Sequence, residues 1–431
     1  MKNSIRGVKA FIILWSTQSL SQLGSSMTSF ALTLWLYEQT GSALKTALLS
    51  ICSYAPYVCM SIFAGALSDR WNKKKVMLVC DTLAACCTIV VLMLLKNDLL
   101  MPWHIYLLNV VSGLMNTIQQ PASDVTMTLI TPKNQYQRTS GLRSFSNSLV
   151  TILNPVLATS LFAFAGMDAV IYVDLATFAV AFLALFFFVR IPETVHEKIS
   201  DRKPLFKEAE AGLYYLKNNP MILTLILFLA GVNFVASAFD SALPAYILPR
   251  NNGGETVLGI VTSCAGVATL AGSLLVTMMP KPKNRIRVIY LTMLFSLSTE
   301  NFMLAFSREP IMWCLSQIVG WIVVPVMSAN LDVILRSTIP VHMQGRVYSY
   351  RNTLQFFTIP IGRFLGGFLV DKVFEPIVER ASADSILVHV WGNEKGSGAA
   401  IVMLVLGIAG TLICLAFRGG LKKYSFAEPV Q

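Results

Sequence analysis

The sequence predicts an all-α polytopic membrane protein with twelve transmembrane helices in two pseudo-symmetric six-helix bundles. Three observations support this fold class. Hydrophobic residues make up 55% of the 431 residues and charged residues only 13%. Apolar stretches of spanning length recur along the chain, and one set of charged and proline positions repeats at a fixed offset. Because an ordinary soluble protein carries about 25% charged residues, we expect lipid to be the solvent around this chain.

The number of spans follows from their length. Only hydrogen bonds within a helix satisfy the backbone in lipid, so crossing a hydrocarbon core of about 30 Å needs roughly 20 helical residues. Twelve such apolar stretches lie near residues 10–37, 44–68, 76–95, 102–130, 141–165, 168–189, 220–248, 256–279, 288–306, 310–335, 347–371 and 399–417. We therefore predict an N-terminal bundle over residues 1–190, a cytoplasmic linker with an amphipathic helix over 191–219, and a C-terminal bundle over 220–431.

The distribution of Lys and Arg predicts the orientation. If the N-terminus is cytoplasmic, the inner segments hold 26 of the 34 Lys and Arg residues, as expected from the enrichment of these residues in cytoplasmic loops. Both termini are therefore expected on the cytoplasmic side of a bacterial cell membrane that the chain crosses many times. This bias also explains the net charge of +11. The basic residues form short clusters between the apolar stretches. This pattern predicts that the chain contacts the lipid bilayer and does not bind nucleic acid.

Residues of catalytic or metal-binding type form no recognisable constellation. Most of the eight cysteines lie inside apolar stretches without metal-ligand spacing, which predicts small packing residues and no metal site. The sequence also shows no nucleophile motif and no phosphate-binding loop. We therefore predict neither an enzyme nor a protein with a bound cofactor.

One set of positions recurs in the two halves of the chain. Around the fourth and fifth predicted spans, and again around the tenth and eleventh, an Asp, a Pro and two Arg follow one another at the same spacing, with an offset of 208 residues: Asp124, Pro132, Arg138 and Arg143, then Asp332, Pro340, Arg346 and Arg351. The simplest explanation is a duplicated six-span unit, with a pathway between two similar bundles. In the alternative interpretation, each Asp caps or pairs locally and each Arg anchors its helix at the inner headgroups.

The segment between the second and third spans carries the most specific motif, Gly65-Ala-Leu-Ser-Asp69-Arg70-Trp71-Asn72-Lys73-Lys74-Lys75. A tight turn here needs one residue in left-handed geometry, and we expect Asn72 to adopt it. Asp69, at the membrane edge, needs a donor or the positive end of a helix, because an unpaired carboxylate in that setting is costly. We therefore predict that this motif pairs with other groups at the inner surface.

This motif resembles that of the major facilitator superfamily, Gly-x-x-x-Asp-Arg/Lys-x-Gly-Arg/Lys-Arg/Lys. Five positions match it, namely Gly65, Asp69, Arg70, Lys73 and Lys74, while Asn72 replaces the second glycine. The resemblance covers essentially the whole chain. It implies the major facilitator fold, in which two six-helix bundles enclose a central pathway.

The same resemblance implies a gate at the inner surface. Asp69 is expected to contact the inner end of the eleventh helix near Arg346, and Lys73 is expected to pair with Asp124 on the fourth. This network would close the inner gate in one state and break in the other. The equivalent loop of the second half, residues 279–287, has no counterpart of Asp69, so the gate is expected to be one-sided.

Three further segments look like the branch of the superfamily that holds macrolide-efflux-type drug exporters: Thr40-Gly-Ser-Ala43, Ile191-Pro-Glu193 and Ala211-Gly-Leu-Tyr-Tyr-Leu-Lys217. This likeness implies a secondary transporter, expected as a monomer, that exports a small amphiphilic compound by alternating access and draws on the proton gradient. The fifth helix keeps Pro155 but lacks the glycines typical of antiporters. The alternatives are a facilitator or importer of the same fold, or a membrane sensor that transports nothing.

Polar side chains form stripes on three predicted spans. On the first and fourth spans they recur every three or four residues, and the seventh carries a similar row; the cavity candidates among them are Gln18, Gln22, Asn109, Asn116, Gln119 and Asn233. Residues at this spacing share one helix face. In the family these three helices line the central cavity, which implies contact with substrate. The alternative interpretation is hydrogen bonding between helices.

Ionisable residues within the spans are candidates for proton coupling, because charged groups are costly in lipid and are retained there for function. Four qualify: Asp174, Asp240, Glu300 and Arg363. Asp240 is the preferred carboxylate, since it shares its stripe with Asn233. For Glu300, a structural ion pair with Arg363 is an equally good interpretation.

Overall fold

The computed structural model describes residues 2–130, 136–189, 213–280, 282–382 and 384–424, and within these ranges the chain forms helices and turns but no β-strand. Most of the predicted linker, residues 191–212, lies outside them. The chain divides into two compact units. The N-terminal unit comprises Met1–Gln39 and Leu48–Asp201, and the C-terminal unit comprises Thr40–Ala47 and Arg202–Gln431.

Five helices build the N-terminal unit: α1 Lys2–Thr40, α2 Ala43–Arg70, α3 Lys73–Lys96, α4 Pro102–Ile130 and α5 Tyr136–Leu183, the last continuing into a π-helical turn at Ala184–Phe188. Helix α5 is interrupted at Gly166, where φ is 75°. A residue with a side chain rarely adopts this φ, so glycine permits the break. The break falls between the predicted fifth and sixth spans, and α5 therefore accounts for both.

Two apolar clusters hold the N-terminal unit together. One joins α1, α3 and the end of α5 through the buried Phe11, Met77 and Leu185. The other brings α1 and α4 together with both parts of α5, with Ala31 and Ile105 fully buried within it. Helices α1 and α5 contribute to both clusters, so they connect the apolar parts of this unit.

The C-terminal unit has a helical segment at residues 213–218 and ten further helices in its described part. These ten are α6 Pro220–Ile247, α7 Glu255–Met278, α8 Arg285–Phe306, α9 Pro310–Trp321, α10 Val324–Thr338, α11 Val341–Phe356, α12 Thr358–Phe368, α13 Glu375–Glu379, α14 Ile386–Trp391 and α15 Ser397–Lys422. A π-helical turn, Leu369–Phe374, follows α12. The predicted tenth and eleventh spans are each built from two helices. The new helices α10 and α12 carry Pro325 and Pro360 in their first turns, where the missing amide hydrogen is tolerated.

Helices α6 and α12 approach each other closely in the C-terminal unit. A Cβ atom added at Gly362 would overlap Ser237 Oγ and Phe234 O, and one added at Gly366 would overlap Ala238 O. Small residues at such positions let the backbones of membrane helices pack closely, because lipid provides no hydrophobic force between the helices. This packing brings the polar row of α6 beside α12.

The segment near residues 372–398 is partly helical in its described part, with α13 and α14 within it. Glu375 Oε1 accepts hydrogen bonds from the amides of Gly396 at 2.9 Å and Ala399 at 3.4 Å. A carboxylate at this position satisfies free amides at the start of α15 and matches the positive end of the helix. The polar residues of this segment thus serve in part to cap a helix.

Nine stretches in the described part of the chain are long and apolar enough to cross a membrane. One of them, Phe145–Phe188, has 44 residues and contains the break at Gly166. Helices α1 and α4 are 39 and 29 residues long but are not among the nine, because polar side chains interrupt their apolar sequence. The predicted all-α polytopic membrane class is confirmed, while the number of twelve spans stays a prediction.

Candidate functional site

A polar cavity of about 560 Å³ lies within the N-terminal unit. Its walls come from α1, α3, α4 and the first part of α5. Serine, asparagine and glutamine side chains dominate the lining: Trp15, Gln18, Ser19, Ser21, Gln22, Ser25, Ser26, Ser29, Asp81, Asn116, Gln119, Gln120, Ser123, Met127, Ser146 and Asn147. Ligand pockets typically measure about 300–1,000 Å³, so this cavity is large enough for a small molecule.

Asp81 is the central charged group of the polar cavity. Gln18 Nε2 on α1 donates to Asp81 Oδ2 at 3.4 Å, and Gln119 Nε2 on α4 donates to Asp81 Oδ1 at 2.5 Å. The carboxylate on α3 therefore connects three helices through two neutral amides. Its side chain is only half-buried, which leaves it accessible from the cavity.

Sequence reasoning missed Asp81. The rule that ionisable residues within a membrane span are functional candidates applies to it directly, since it lies inside the stretch Lys73–Lys96. However, Asp81 belongs to no polar stripe, because its neighbours one turn away on α3 are Met77, Leu78, Ala84 and Ala85. Its partners come from other helices, and a single-helix pattern cannot show them.

The structure places most of the polar stripes of α1 and α4 at this cavity. Gln18 and Gln22 line it from α1, and Asn116 and Gln119 line it from α4. Asn109 is not part of the lining, and its Nδ2 donates instead to Ile105 O of the same helix at 2.9 Å. A polar side chain four residues beyond a carbonyl can bond back in this way.

The opposite face of α1 borders an apolar cavity. This second cavity measures about 440 Å³ and lies between α1 and the two parts of α5, with Leu20, Leu23, Met27, Leu161 and Val173 in its walls. Helix α1 thus separates a polar space from an apolar space. The division follows its sequence, in which polar and apolar residues alternate at helical spacing.

The candidates on α6 contact helices of the C-terminal unit. Asn233 Nδ2 donates to Gln355 O at 3.1 Å, which joins α6 to α11. Asp240 and Arg363 form an ion pair, with 3.1 Å between Asp240 Oδ2 and Arg363 Nη2. The sequence interpretation that paired Arg363 with Glu300 is therefore wrong, because the close packing of α6 on α12 gives Arg363 a nearer carboxylate.

Glu300 and Asp174 are buried and hydrogen-bonded. Glu300 Oε1 accepts from Gln317 Nε2 at 2.9 Å and from Trp321 Nε1 at 3.0 Å, both on α9. Asp174 Oδ1, in the second part of α5, accepts from Ser25 Oγ at 2.9 Å. These three donors are neutral, and they stabilise a carboxylate by satisfying its oxygens rather than by neutralising its charge.

The gating motif is described only in part. Gly65, Asp69 and Arg70 belong to α2, but their side chains lie outside the described part of the structure. The same holds for the side chains of Asp124, Arg138 and Arg346, which belong to helical segments. The contacts expected for Asp69 and for Lys73 with Asp124 therefore stay predictions. Lys73 is buried and Asp332 is exposed.

Asn72 does not adopt the left-handed geometry expected for it. Its φ and ψ are −65° and 116°, and its side chain accepts a hydrogen bond from Lys75 N at 3.1 Å. Asn72 is therefore the N-cap of α3, a position for which asparagine is among the preferred residues. The expectation was wrong because the turn between α2 and α3 needs a cap rather than a left-handed residue.

Lys74 of the same motif binds the end of α5. Its Nζ donates to Phe186 O at 2.9 Å and to Val189 O at 2.8 Å. These carbonyls lie at and just after the π-helical turn that ends the helix, where backbone acceptors have no partner within the helix. A lysine at this position also complements the negative end of the helix.

Comparison with known proteins provides a family and several relatives. The sequence profile described as Major Facilitator Superfamily matches residues 14–362. Macrolide efflux protein A of Streptococcus pyogenes is 24% identical over 366 residues, which cover 84% of this chain and 90% of that protein. The multidrug efflux pump Tap of Mycolicibacterium fortuitum is 24% identical over 389 residues, covering 86% of this chain and 91% of the pump.

A solved structure shows the same fold. It is the crystal structure of a bacterial homolog of the human lysosomal transporter Spinster, in an inward-facing and occupied conformation. The TM-score is 0.73 at 14% sequence identity, and the match covers 98% of each chain. At this identity the similarity shows the fold alone.

Proposed function

We propose that this chain, which belongs to the major facilitator superfamily and is therefore a secondary transporter rather than an enzyme, exports a small amphiphilic compound by alternating access. The family predicted from the motif at Gly65–Lys75 is confirmed by the profile match. The functions that two relatives are named for, macrolide efflux and multidrug efflux, support the export direction.

The polar cavity of the N-terminal unit is the observation that carries this proposal. Polar side chains line its walls, although the chain that forms these walls is mostly apolar. Polar side chains are costly inside a membrane and are found facing a bundle interior or a water-filled space. The apolar cavity on the other face of α1 adds an apolar surface nearby, which suits an amphiphilic rather than a purely polar compound.

Proton coupling is the proposed energy source, without a bound cofactor. Asp240 stays the first candidate, because a proton on its carboxylate would release Arg363 from the ion pair and so change a contact between α6 and α12. Glu300 and Asp174 are the other candidates, and they are held by neutral donors. Protonation of Glu300 or Asp174 would change the hydrogen bonds of that carboxyl group. Unlike protonation of Asp240, it would not separate an ion pair.

The location of the transporter follows from the same reasoning. We place it as a monomer in the bacterial cytoplasmic membrane with both termini in the cytoplasm, as the Lys and Arg distribution predicts. The motif around Asp69 then lies at the inner surface. We propose that this motif holds the inner gate closed in one state of the transport cycle.

Transport by inverted membrane vesicles tests the export proposal. Vesicles from cells that express the protein, and from cells with an empty vector, receive an acid-inside gradient and a panel of amphiphilic drugs that includes a macrolide. We expect at least one compound to accumulate only with the protein, and a protonophore to abolish the accumulation. Equilibration without dependence on the gradient would indicate a facilitator, and accumulation in right-side-out vesicles an importer. No movement of any compound would favour a sensor.

A further inference from the structure

We propose that Asp81 makes the polar cavity selective for substrates that carry a single positive charge. The inference rests on the proposed function, in that it takes this cavity to be the substrate site. Among the residues that line the cavity in the described part of the chain, Asp81 has the only ionisable side chain, and no Lys, Arg or His accompanies it. The described part of the lining therefore presents one negative charge and no positive charge.

The contacts of Asp81 position its carboxylate without neutralising it. Gln18 and Gln119 each donate one amide hydrogen bond, to different oxygens. An ionised carboxylate can accept about four hydrogen bonds, so acceptor capacity remains for a ligand. The two glutamines come from α1 and α4, and they fix the carboxylate in place before a ligand arrives. Such preorganisation lowers the entropic cost of binding.

An uncompensated carboxylate in a membrane span favours a cationic ligand. Charges within membrane spans usually pair with another charge or face a water-filled cavity, because isolation in lipid is costly. A ligand ammonium group that enters the cavity would supply the missing charge and a charge-assisted hydrogen bond, which is stronger than a neutral one. An anionic ligand would meet only repulsion from this group.

Trp15 provides a second feature that suits an ammonium group. Trp15 lines the same cavity, and its Nε1 donates to Ser146 Oγ at 3.0 Å, which restrains the orientation of the indole. The face of a tryptophan ring attracts cations, by roughly 0.5–2 kcal/mol depending on desolvation. A carboxylate and an indole at one cavity thus provide two kinds of attraction for a cation.

The remaining lining groups indicate the rest of the ligand. Gln22, Asn116, Gln120 and Asn147 carry amides that both donate and accept hydrogen bonds, and seven serines add hydroxyl groups. These groups suit hydroxyl and carbonyl substituents. The cavity therefore fits a drug-sized monocation with several hydroxyl or carbonyl groups.

A matched pair of fluorescent probes tests the charge preference. Doxorubicin carries one ammonium group on a hydroxylated scaffold, and N-acetyldoxorubicin is its neutral derivative. Binding of both is measured on purified protein in lipid nanodiscs, and export of both is measured in inverted vesicles. We expect doxorubicin to bind the parent protein about tenfold more tightly than the neutral probe, as a 1.4 kcal/mol charge contribution would give.

Three variants distinguish charge recognition from structural effects. Asp81→Asn should bind doxorubicin about as weakly as N-acetyldoxorubicin, with little change for the neutral probe. Asp81→Glu should keep part of the preference. Asn116→Ala is the matched control, since it changes an uncharged group of the same lining and should weaken both probes to a similar degree.

The outcomes separate this inference from the function on which it rests. Equal binding of the two probes by the parent protein, or an unchanged preference in Asp81→Asn, would overturn the inference while leaving the transporter proposal intact. If Asp81→Asn kept the preference but lost gradient-driven export of both probes, Asp81 would be a proton site and the inference would also fail. A parent protein that binds cations preferentially but exports no compound would contradict the proposed function alone.

Discussion

Arg363 Nη2 lies 3.1 Å from Asp240 Oδ2. Arg363 directly follows Gly362, the glycine at which α12 packs closely against α6. The ion pair and the close packing thus belong to one contact between two helices. The pair is partly accessible, with 25% of the Arg363 side chain and 43% of the Asp240 side chain exposed. A change in protonation at Asp240 would therefore act directly on the contact of α6 with α12.

A double-mutant cycle should detect this ion pair. Asp240→Asn and Arg363→Gln each leave a charge without its partner, so each should lower the thermal stability of the protein in detergent. The double variant should be more stable than the sum of the single effects predicts, by about 0.5–1 kcal/mol for a partly exposed pair. Additive effects would mean that the two charges do not interact.

Gly362→Ala should destabilise the C-terminal unit. The new Cβ would overlap Ser237 Oγ and the backbone oxygen of Phe234, and overpacking of this kind costs about 1–3 kcal/mol. Gly419→Ala is the control, because a Cβ at Gly419 has nothing within 4 Å. Unfolding temperatures of the purified variants provide the comparison. Equal stability of the two variants would show that α6 and α12 can separate at little cost.

Most of the helices could be predicted from the sequence. Lipid leaves the backbone no partner except its own helix, so a long apolar stretch is enough to predict a span. The breaks within the tenth and eleventh predicted spans were not predicted. Pro325 and Pro360 signal them, but a proline within a membrane helix can also be accommodated by neighbouring groups, as Pro56, Pro121 and Pro155 are.

Residues of the candidate site were predicted only where the spacing of polar residues along one helix identifies them. The spacing of Gln18 and Gln22 identifies one face of α1, and the structure places both at the polar cavity. Asp81 has no such stripe, and its partners Gln18 and Gln119 are distant in sequence. The ion pair of Asp240 with Arg363 was missed for the same reason. Contacts between helices depend on packing, which helical spacing does not encode.

Glu300→Gln should retain the stability of the parent protein. Glu300 Oε1 accepts from Gln317 and Trp321, and a glutamine can offer an oxygen at the same place. Glu300→Leu should be less stable by about 1–3 kcal/mol for each donor left without a partner. Thermal unfolding of both variants measures the difference, and a stable leucine variant would contradict this account.

The transport activity of Glu300→Gln then separates the two carboxylate candidates of the C-terminal unit. Inverted vesicles that equilibrate the substrate but no longer accumulate it under a proton gradient would assign the coupled proton to Glu300. The same result for Asp240→Asn, with normal accumulation by Glu300→Gln, would assign it to Asp240. We expect the second result, because only Asp240 links a proton to an ion pair between helices.

Asp69→Asn should fold and insert normally but transport slowly. The motif at Gly65–Lys75 matches the family pattern, and the resemblance implies that the charge of Asp69 is needed to close the inner gate. Expression level and detergent elution profile verify folding, while initial rates in inverted vesicles measure transport. A parent-like initial rate in this variant would remove the gating role of Asp69.

Lys74→Met should weaken the end of α5 without affecting the cavity. Lys74 Nζ donates to two carbonyls that follow or belong to the π-helical turn, Phe186 O and Val189 O. A cation bonded to the last carbonyls of a helix contributes about 1 kcal/mol when it is partly exposed, so the variant should lose roughly that amount of stability. Lys75→Met is a suitable control, because Lys75 is exposed, carries the same charge and is the next residue in the chain. If the two variants unfolded at the same temperature, net charge rather than the bonds of Lys74 would explain the effect. A specific loss in Lys74→Met would instead show that this lysine of the motif stabilises the N-terminal unit itself, so that impaired transport in Lys74 variants need not reflect the gate.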